Sequence, residues 1–272
     1  PGNVVVLRMG DGSAALSSAA TAMFLVEYTT AGALVQTIAL PTTDSGANQT
    51  LTSSGTATSE GYLSRSVDGR YLVVPGLRSS RIHILDTAPD PRQPRLVKVI
   101  EADEIIKKTG YSRPHTSHCG PDGVYVNALG NADGNGPGGI FVLDPETFEI
   151  KGRWENDRGP QQLAYDFWWH LGHDTMITSE WGTPNMVEGG VNPELLLAGK
   201  YGNALHVWDL NSRRHVQKLE LGPEQQMVLE LRPAHDPNET YGFASVVTSL
   251  KDLSASVWMW HREGRGTWRV HK

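Results

Sequence analysis

The five consecutive residues His115-Thr116-Ser117-His118-Cys119 bring two imidazoles and the only thiol of the chain within reach of one another. Neutral imidazole nitrogens bind copper and zinc, and a thiolate sulfur favours Cu(I), so the cluster has the donor types of a transition-metal site. The competing assignment is a pair of hydrogen-bonded structural histidines beside a buried, inert thiol, because a reactive Cys119 requires exposure and a lowered pKa. If the backbone is extended here, His115 and His118 point to opposite faces; Pro114 biases Arg113 toward extended geometry and leaves the residues after it free to turn. His173 and His235 follow His118 at intervals of 55 and 62 residues. One histidine per structural repeat can converge on an axial metal site, and a recurring turn residue gives the same spacing. Glu180, in SEWGTPN, and Asp166, in YDFWW, are the catalytic candidates, since a carboxylate beside an imidazole can orient it or take its proton.

These residues need a repeating frame, and the chain supplies one. AMFLVEYT from Ala22, RIHILDTA from Arg81, GIFVLDPE from Gly139, ALHVWDLN from Ala204 and SVWMWHRE from Ser256 read as one strand type, with start-to-start gaps of 59, 58, 65 and 52 residues. Each is followed by a return strand such as ALVQTIAL, FEIKGRWE or HVQKLELG, and most are preceded by another apolar run such as VDGRYLVVPG, PDGVYVNALG or HDTMITSEWG, which His173 and Asp174 begin. Four short strands per period describe an all-β protein, a β-propeller of four-stranded blades with about four to five blades in this chain. The HTSHC cluster precedes PDGVYVNALG and is expected where an inner strand begins. Glu101 to Tyr111 and Pro193 to Gly199 read as short helices. GNADGNGPGG, Gly130 to Gly139, lacks the closing Glu of an EF-hand and the Lys-Ser/Thr of a P-loop, so it is expected to connect two strands of a blade. Trp168, Trp169, Trp208, Trp258 and Trp260 are expected to pack between blades.

Composition agrees with this class. The 272 residues include 29 Gly and 16 Pro, 39% are hydrophobic, and the net charge is −6. A negative balance argues against nucleic acid as a partner, and no apolar run approaches the length of a transmembrane segment. One cysteine excludes an internal disulfide and leaves the location of a soluble protein open between cytoplasm and bacterial periplasm. Residues 1–74 hold 19 Ser plus Thr and three Arg but no Lys, His or Trp, and Thr42 to Gly61 is a nearly uncharged Ser/Thr/Gly tract expected to form a loop. Two regions follow, 1–76 and 77–272, expected to form one continuous structural domain.

From about Leu77 to Lys272 the sequence resembles the selenium-binding protein family, whose members include methanethiol oxidase. The resemblance rests on SSRIHILDT from Ser79, HTSHC from His115, the run from Gly130 to Glu155, YDFWW from Tyr165, SEWGTPN from Ser179 and YGNALHVWDL from Tyr201. It implies copper-dependent oxidation of methanethiol to formaldehyde, hydrogen peroxide and hydrogen sulfide, with a small thiol and oxygen as partners and copper held on histidines near the axis, His118 and then His115, to which the recurrence adds His173 and His235 as metal candidates. It also raises a selenium association, but the family cysteine tied to selenium lies in an upstream segment with no counterpart here, so that role does not pass to Cys119. The upstream His-His-Ser-Gly-Trp-Asn segment of the family is likewise not found, and residues 1–74 resemble a bacterial secreted propeller-like repeat through VVVLRMGDGSAALSS and GTATSEGYLSRSVDGRYLVV. A truncated or hybrid family member and a non-catalytic propeller that binds or scaffolds are the alternatives to an oxidase.

Overall fold

The computed structural model describes residues 2–46, 49–56, 61, 63–264 and 266–272. Its strands form five four-stranded antiparallel sheets taken in chain order. The first contains β1 (Val4–Met9), β2 (Ala20–Tyr28) and β3 (Leu34–Ala39), with β4 (Thr52–Ser54) pairing the start of β2. The second is β5 (Ser64–Arg65), β6 (Tyr71–Gly76), β7 (Arg81–Asp86) and β8 (Arg95–Ile100), and the third β9 (Ser112–Gly120), β10 (Gly123–Gly130), β11 (Gly139–Leu143) and β12 (Ile150–Arg153). The fourth is β13 (Phe167–His170), β14 (Thr175–Ser179), β15 (Ala204–Asp209) and β16 (Arg214–Glu220), and the fifth β17 (Gln225–Pro233), β18 (Tyr241–Ser249), β19 (Ser256–Arg262) and β20 (Trp268–His271). Successive four-stranded meanders are the blades of a β-propeller. The five repeated segments of the sequence are β2, β7, β11, β15 and β19, the third strand in each of the last four sheets.

An aspartate closes the repeated strand in three of these blades for a physical reason. Asp144 Oδ1 accepts hydrogen bonds from the backbone N–H groups of Glu146 and Thr147, Asp209 Oδ1 from that of Ser212, and Asp86 Oδ1 from that of Ala88. A short carboxylate that caps its own turn is what lets the chain reverse into the return strand. The Asp86 carboxylate is held below the usual range first by Arg70, which binds both of its oxygens at 3.0 and 2.7 Å.

The helices are short connectors. α1 (Ala102–Thr109) carries Asp103 and Glu104 in its first turn and Lys107 and Lys108 in its last, matching its dipole, and Gly110 ends it at φ 74°. α2 (Pro184–Val187) was not signalled by the sequence, whereas α3 (Pro193–Leu197) is capped by the Asn192 side chain as its proline start requires. No helix among the described residues is long and apolar enough to cross a membrane.

Three local expectations change. HTSHC lies inside β9, directly ahead of β10, while Arg113 adopts φ 59° instead of the extended geometry expected before Pro114. The cost of that conformation is met by fixed partners, Ser80 Oγ for the Arg113 N–H at 2.8 Å and Glu188 for its guanidinium at 2.8 Å. His173 and Asp174 do not begin a strand: they close a 3-10 turn between β13 and β14, Asp174 being left-handed at φ 46°. The tract from Thr42 to Gly61 contains β4, while residues 47, 48 and 57–60 lie outside the described residues, as does 62 in the neighbouring resemblance segment.

The chain divides into two compact units, the first formed by 1–126, 141–152 and 188–190 and the second by 127–140, 153–187 and 191–272. The composition change near Gly76 therefore falls inside the first unit. Its core includes Met23, Leu25, Leu40 and Leu51 packed with Val74 and Leu85, which joins the first two sheets. In the second unit, Ile177, Leu205, Val207, Leu219 and Leu221 of the fourth blade pack on Val228, Leu231, Ala244, Val246, Trp260 and Trp268 of the fifth. Leu205 is fully buried in that layer. Leu205→Ala is expected to destabilise the protein by about 2–5 kcal/mol, read as a lower denaturant midpoint at unchanged slope.

Candidate functional site

Side chains on a strand alternate between faces, and the fourth blade uses that alternation to separate chemistry from packing. Ile177 pairs with Val207, and Ser179 with Leu205, on the face that meets the fifth blade. The neighbouring pairs, Thr178 with His206 and Met176 with Trp208, fall on the opposite face. The register between β15 and β16 then shifts after Val207, so that Trp208 faces His215 and Val216 is the extra residue. Such a bulge re-aims the side chains that follow it. Here it turns His215 onto the polar face.

On that face three titratable side chains touch in sequence. Glu180 Oε1 lies 2.8 Å from His206 Nε2, and His206 Nδ1 lies 2.9 Å from His215 Nε2. His206 is fully buried and Glu180 is 8% exposed, while His215 is half-buried. An ionised Glu180 accepts from His206 Nε2–H, which leaves His206 Nδ1 to exchange a proton with His215. Burial, then the neighbouring His206, lowers the His215 pKa to about 4, with Asp157 acting in the opposite sense. Trp208 meets the His215 ring edge-on at 5.4 Å, and the His215 backbone N–H donates to the Asp157 backbone carbonyl at 2.9 Å. Gly159 has φ 56°, and a Cβ there would stand 2.5 Å from His215 Cγ, so glycine is required beside the ring.

The same face is covered by a second polar layer. Trp208 Nε1 donates to Thr178 Oγ1 at 3.0 Å, and Thr178 Oγ1 donates to Gln161 Oε1 at 2.7 Å. Asn127, Ile140, Trp154, Glu155, Arg158 and Gln161 close over these groups around a cavity with about 10 Å³ of room, close to that of one water. Burial raises the Glu155 carboxyl to about 7, opposed by Arg158, whose guanidinium donates to it at 2.6 Å. Asn127 Oδ1 is buried with no hydrogen-bond partner among the described residues, which suits a bridging water.

Of the residues expected from sequence, Glu180 is the one that this constellation contains. Asp166 is 1% exposed and its oxygens accept the backbone N–H groups of Phe167 at 2.8 Å and Leu231 at 2.9 Å, with Arg232 at 3.4 Å, so it ties the fourth blade to β17. His115 and His118 lie on β9 of the first unit; strand parity sends them to opposite faces, with His115 1% exposed and its Nδ1 2.8 Å from Thr116 Oγ1, and His118 half-buried. In the second unit, His173 stacks on His170 at 4.5 Å in the β13–β14 turn, and His235 is exposed in the loop after β17. Burial raises the Cys119 pKa, and its Sγ meets Arg65 O, as a packed thiol does. Among the described residues no three His, Cys, Asp or Glu side chains form a group able to hold a metal ion.

Sequence reasoning passed over His206 and His215. The signal was present in ALHVWDL: a histidine inside an otherwise apolar, two-side-buried strand must find a polar partner, and the adjacent strand ends at Glu180.

Fold and site together define a β-propeller with a buried polar layer in one blade. The pattern of the 56 kDa selenium-binding proteins matches residues 20–272, reaching further toward the N-terminus than the quoted motifs, and the chain belongs to that family. Over 202 residues it is 43% identical to mouse selenium-binding protein 2 and 40% identical to zebrafish methanethiol oxidase, in each case across 74% of this chain. Those stretches are 42% and 43% of the relatives, so the chain spans less than half of their length. A hypothetical selenium-binding protein of Sulfolobus tokodaii superposes with a TM-score of 0.82 at 39% identity, covering all of this chain and 60% of that one. The periplasmic gluconolactonase of Pseudomonas aeruginosa, at TM-score 0.57 and 13% identity over 99% of this chain and 67% of its own, shares the fold alone.

The lowered pKa of His215 has a defined stability consequence. Since the folded value of about 4 lies below the ordinary 6.5, the unfolded chain takes up this proton first as the pH falls. Its contribution is complete above the ordinary value and is lost between there and the folded one. Denaturant midpoints measured across that window are expected to fall less steeply for His215→Gln than for the wild type.

Proposed function

We propose that the protein oxidises methanethiol with copper, in the overall reaction of methanethiol, oxygen and water to formaldehyde, hydrogen sulfide and hydrogen peroxide. The thiol carbon loses two electrons, oxygen gains them, and water supplies the aldehyde oxygen. The observation that carries this reading is the 40% identity to zebrafish methanethiol oxidase across most of this chain. Within the chain, Glu180 backed by His206 is the group suited to take the thiol proton, because the buried imidazole orients the carboxylate and shares the charge.

Copper, when bound, supplies a centre that accepts electrons from sulfur and delivers them to oxygen. His115 and His118 are ligands of the right type, but two imidazoles on opposite faces of one strand do not make a closed centre. With no group of three metal-binding side chains among the described residues, the donor set is incomplete. That same incompleteness favours a second reading, a propeller that binds or scaffolds without catalysis.

Metal analysis and methanethiol-dependent peroxide production separate the two. An oxidase is expected to retain copper on purification, and His118→Ala and His115→Ala each to lower its copper affinity by roughly tenfold or more. A copper-free protein that makes no peroxide, and whose partner still binds the double alanine variant, supports the scaffold.

A further inference from the structure

A base that takes the thiol proton must hand it on, and a buried carboxylate does this poorly alone. Glu180 directly follows β14, His206 is at the centre of β15 and His215 is on the edge strand β16, so the three touching groups cross the blade from strand to strand. We propose that Glu180, His206 and His215 form a proton-transfer chain through the fourth blade, with Glu180 as the inner acceptor and His215 as the outlet.

The bookkeeping is complete without any added reactant. In one of the two tautomer states that these contacts allow, Glu180 is a carboxylate and His206 and His215 each carry a proton on Nε2. A proton arriving at His215 Nδ1 displaces the Nε2 proton to His206 Nδ1, and the His206 Nε2 proton moves to Glu180. One N–H bond forms and one breaks on each ring. The outward pass runs from the other pair of tautomers: with His206 and His215 each protonated on Nδ1, Glu180 gives its proton to His206 Nε2, the His206 Nδ1 proton moves to His215 Nε2, and the His215 Nδ1 proton leaves to solvent. Each pass leaves both rings in the other tautomer, so consecutive passes in one direction require both to be reset.

The surroundings support transfer more than simple ion pairing. A structural Glu–His pair is complete with two members, whereas here a second imidazole is brought onto the same face by a bulge, and a glycine is needed to make room for it. The charged groups facing the chain leave the His–His contact open. On β16, Lys218 lies opposite His206 in register but its Nζ pairs with Glu220 at 2.9 Å. On the covering loop, Glu155 is engaged by Arg158 at 2.6 Å, and Asp157 lies 3.7 Å from Arg214. Asp157 also favours charge on His215, which an outlet needs as it loads.

The role as a route for the thiol proton rests on the proposed oxidase; the coupling of the three groups does not. Nitrogen-15 NMR of the histidines in the full chain tests the coupling. Glu180→Gln is expected to lower the protonation midpoint of His215 by about one unit, and His206→Gln to abolish that dependence. Titration of His215 that is the same in wild type, Glu180→Gln and His206→Gln overturns the chain. Turnover tests the route: in weak buffer His215→Gln is expected to lose roughly tenfold in methanethiol-dependent rate, and added imidazole to restore it. A wild-type rate for that variant, or a loss that imidazole does not repair, overturns the outlet. If the wild type itself does not oxidise methanethiol, the oxidase reading fails, and the NMR titration alone decides for or against the chain.

Discussion

A buried imidazole must be given a partner, and the fourth blade is organised around satisfying one. His206 has both ring nitrogens within hydrogen-bond distance of another titratable side chain, Glu180 on one side and His215 on the other. Leaving either contact unmade would strand a polar group where water cannot reach, at a cost of about 1–3 kcal/mol. The sheet meets the demand by devoting one face to polar groups. The other face, through Leu205 and Val207, carries the apolar packing that holds the fifth blade. Neither layer exists without the alternation that separates them.

This division explains why a polar centre is tolerated inside a β-propeller. Thr178, Trp208 and His215 are fixed from two directions: laterally by strand pairing, and from above by the loop that carries Glu155, Arg158, Gly159 and Gln161. Arg158 donates to Gly138 O at 2.6 Å as well as to Glu155, so the cover is anchored to the start of β11. A polar network held on all sides is rigid, and rigidity is what keeps donor and acceptor nitrogens at transfer distance.

Much of the frame was legible in the sequence because local chemistry wrote it. The recurrence of an apolar run ending in aspartate marked the third strand of a blade, since Asp86, Asp144 and Asp209 each cap the turn that follows. Pro193 likewise marked a helix start. The site was read less well. Glu180 was singled out by its neighbours in the motif, and the spacing of His118, His173 and His235 follows the repeat of the blades. His173 and Asp174 close a 3-10 turn that a strand-like run concealed. His206 and His215 depend on cross-strand register, which no single segment reveals.

The irregular step at Val216 carries a wider meaning. A regular ladder through the same residues would set Val216 beside Trp208 and send His215 to the apolar side. Ownership of the outer imidazole is therefore a matter of counting as well as composition. Relatives keeping both histidines but differing by one residue between positions 206 and 215 can differ in proton traffic while looking equivalent letter by letter.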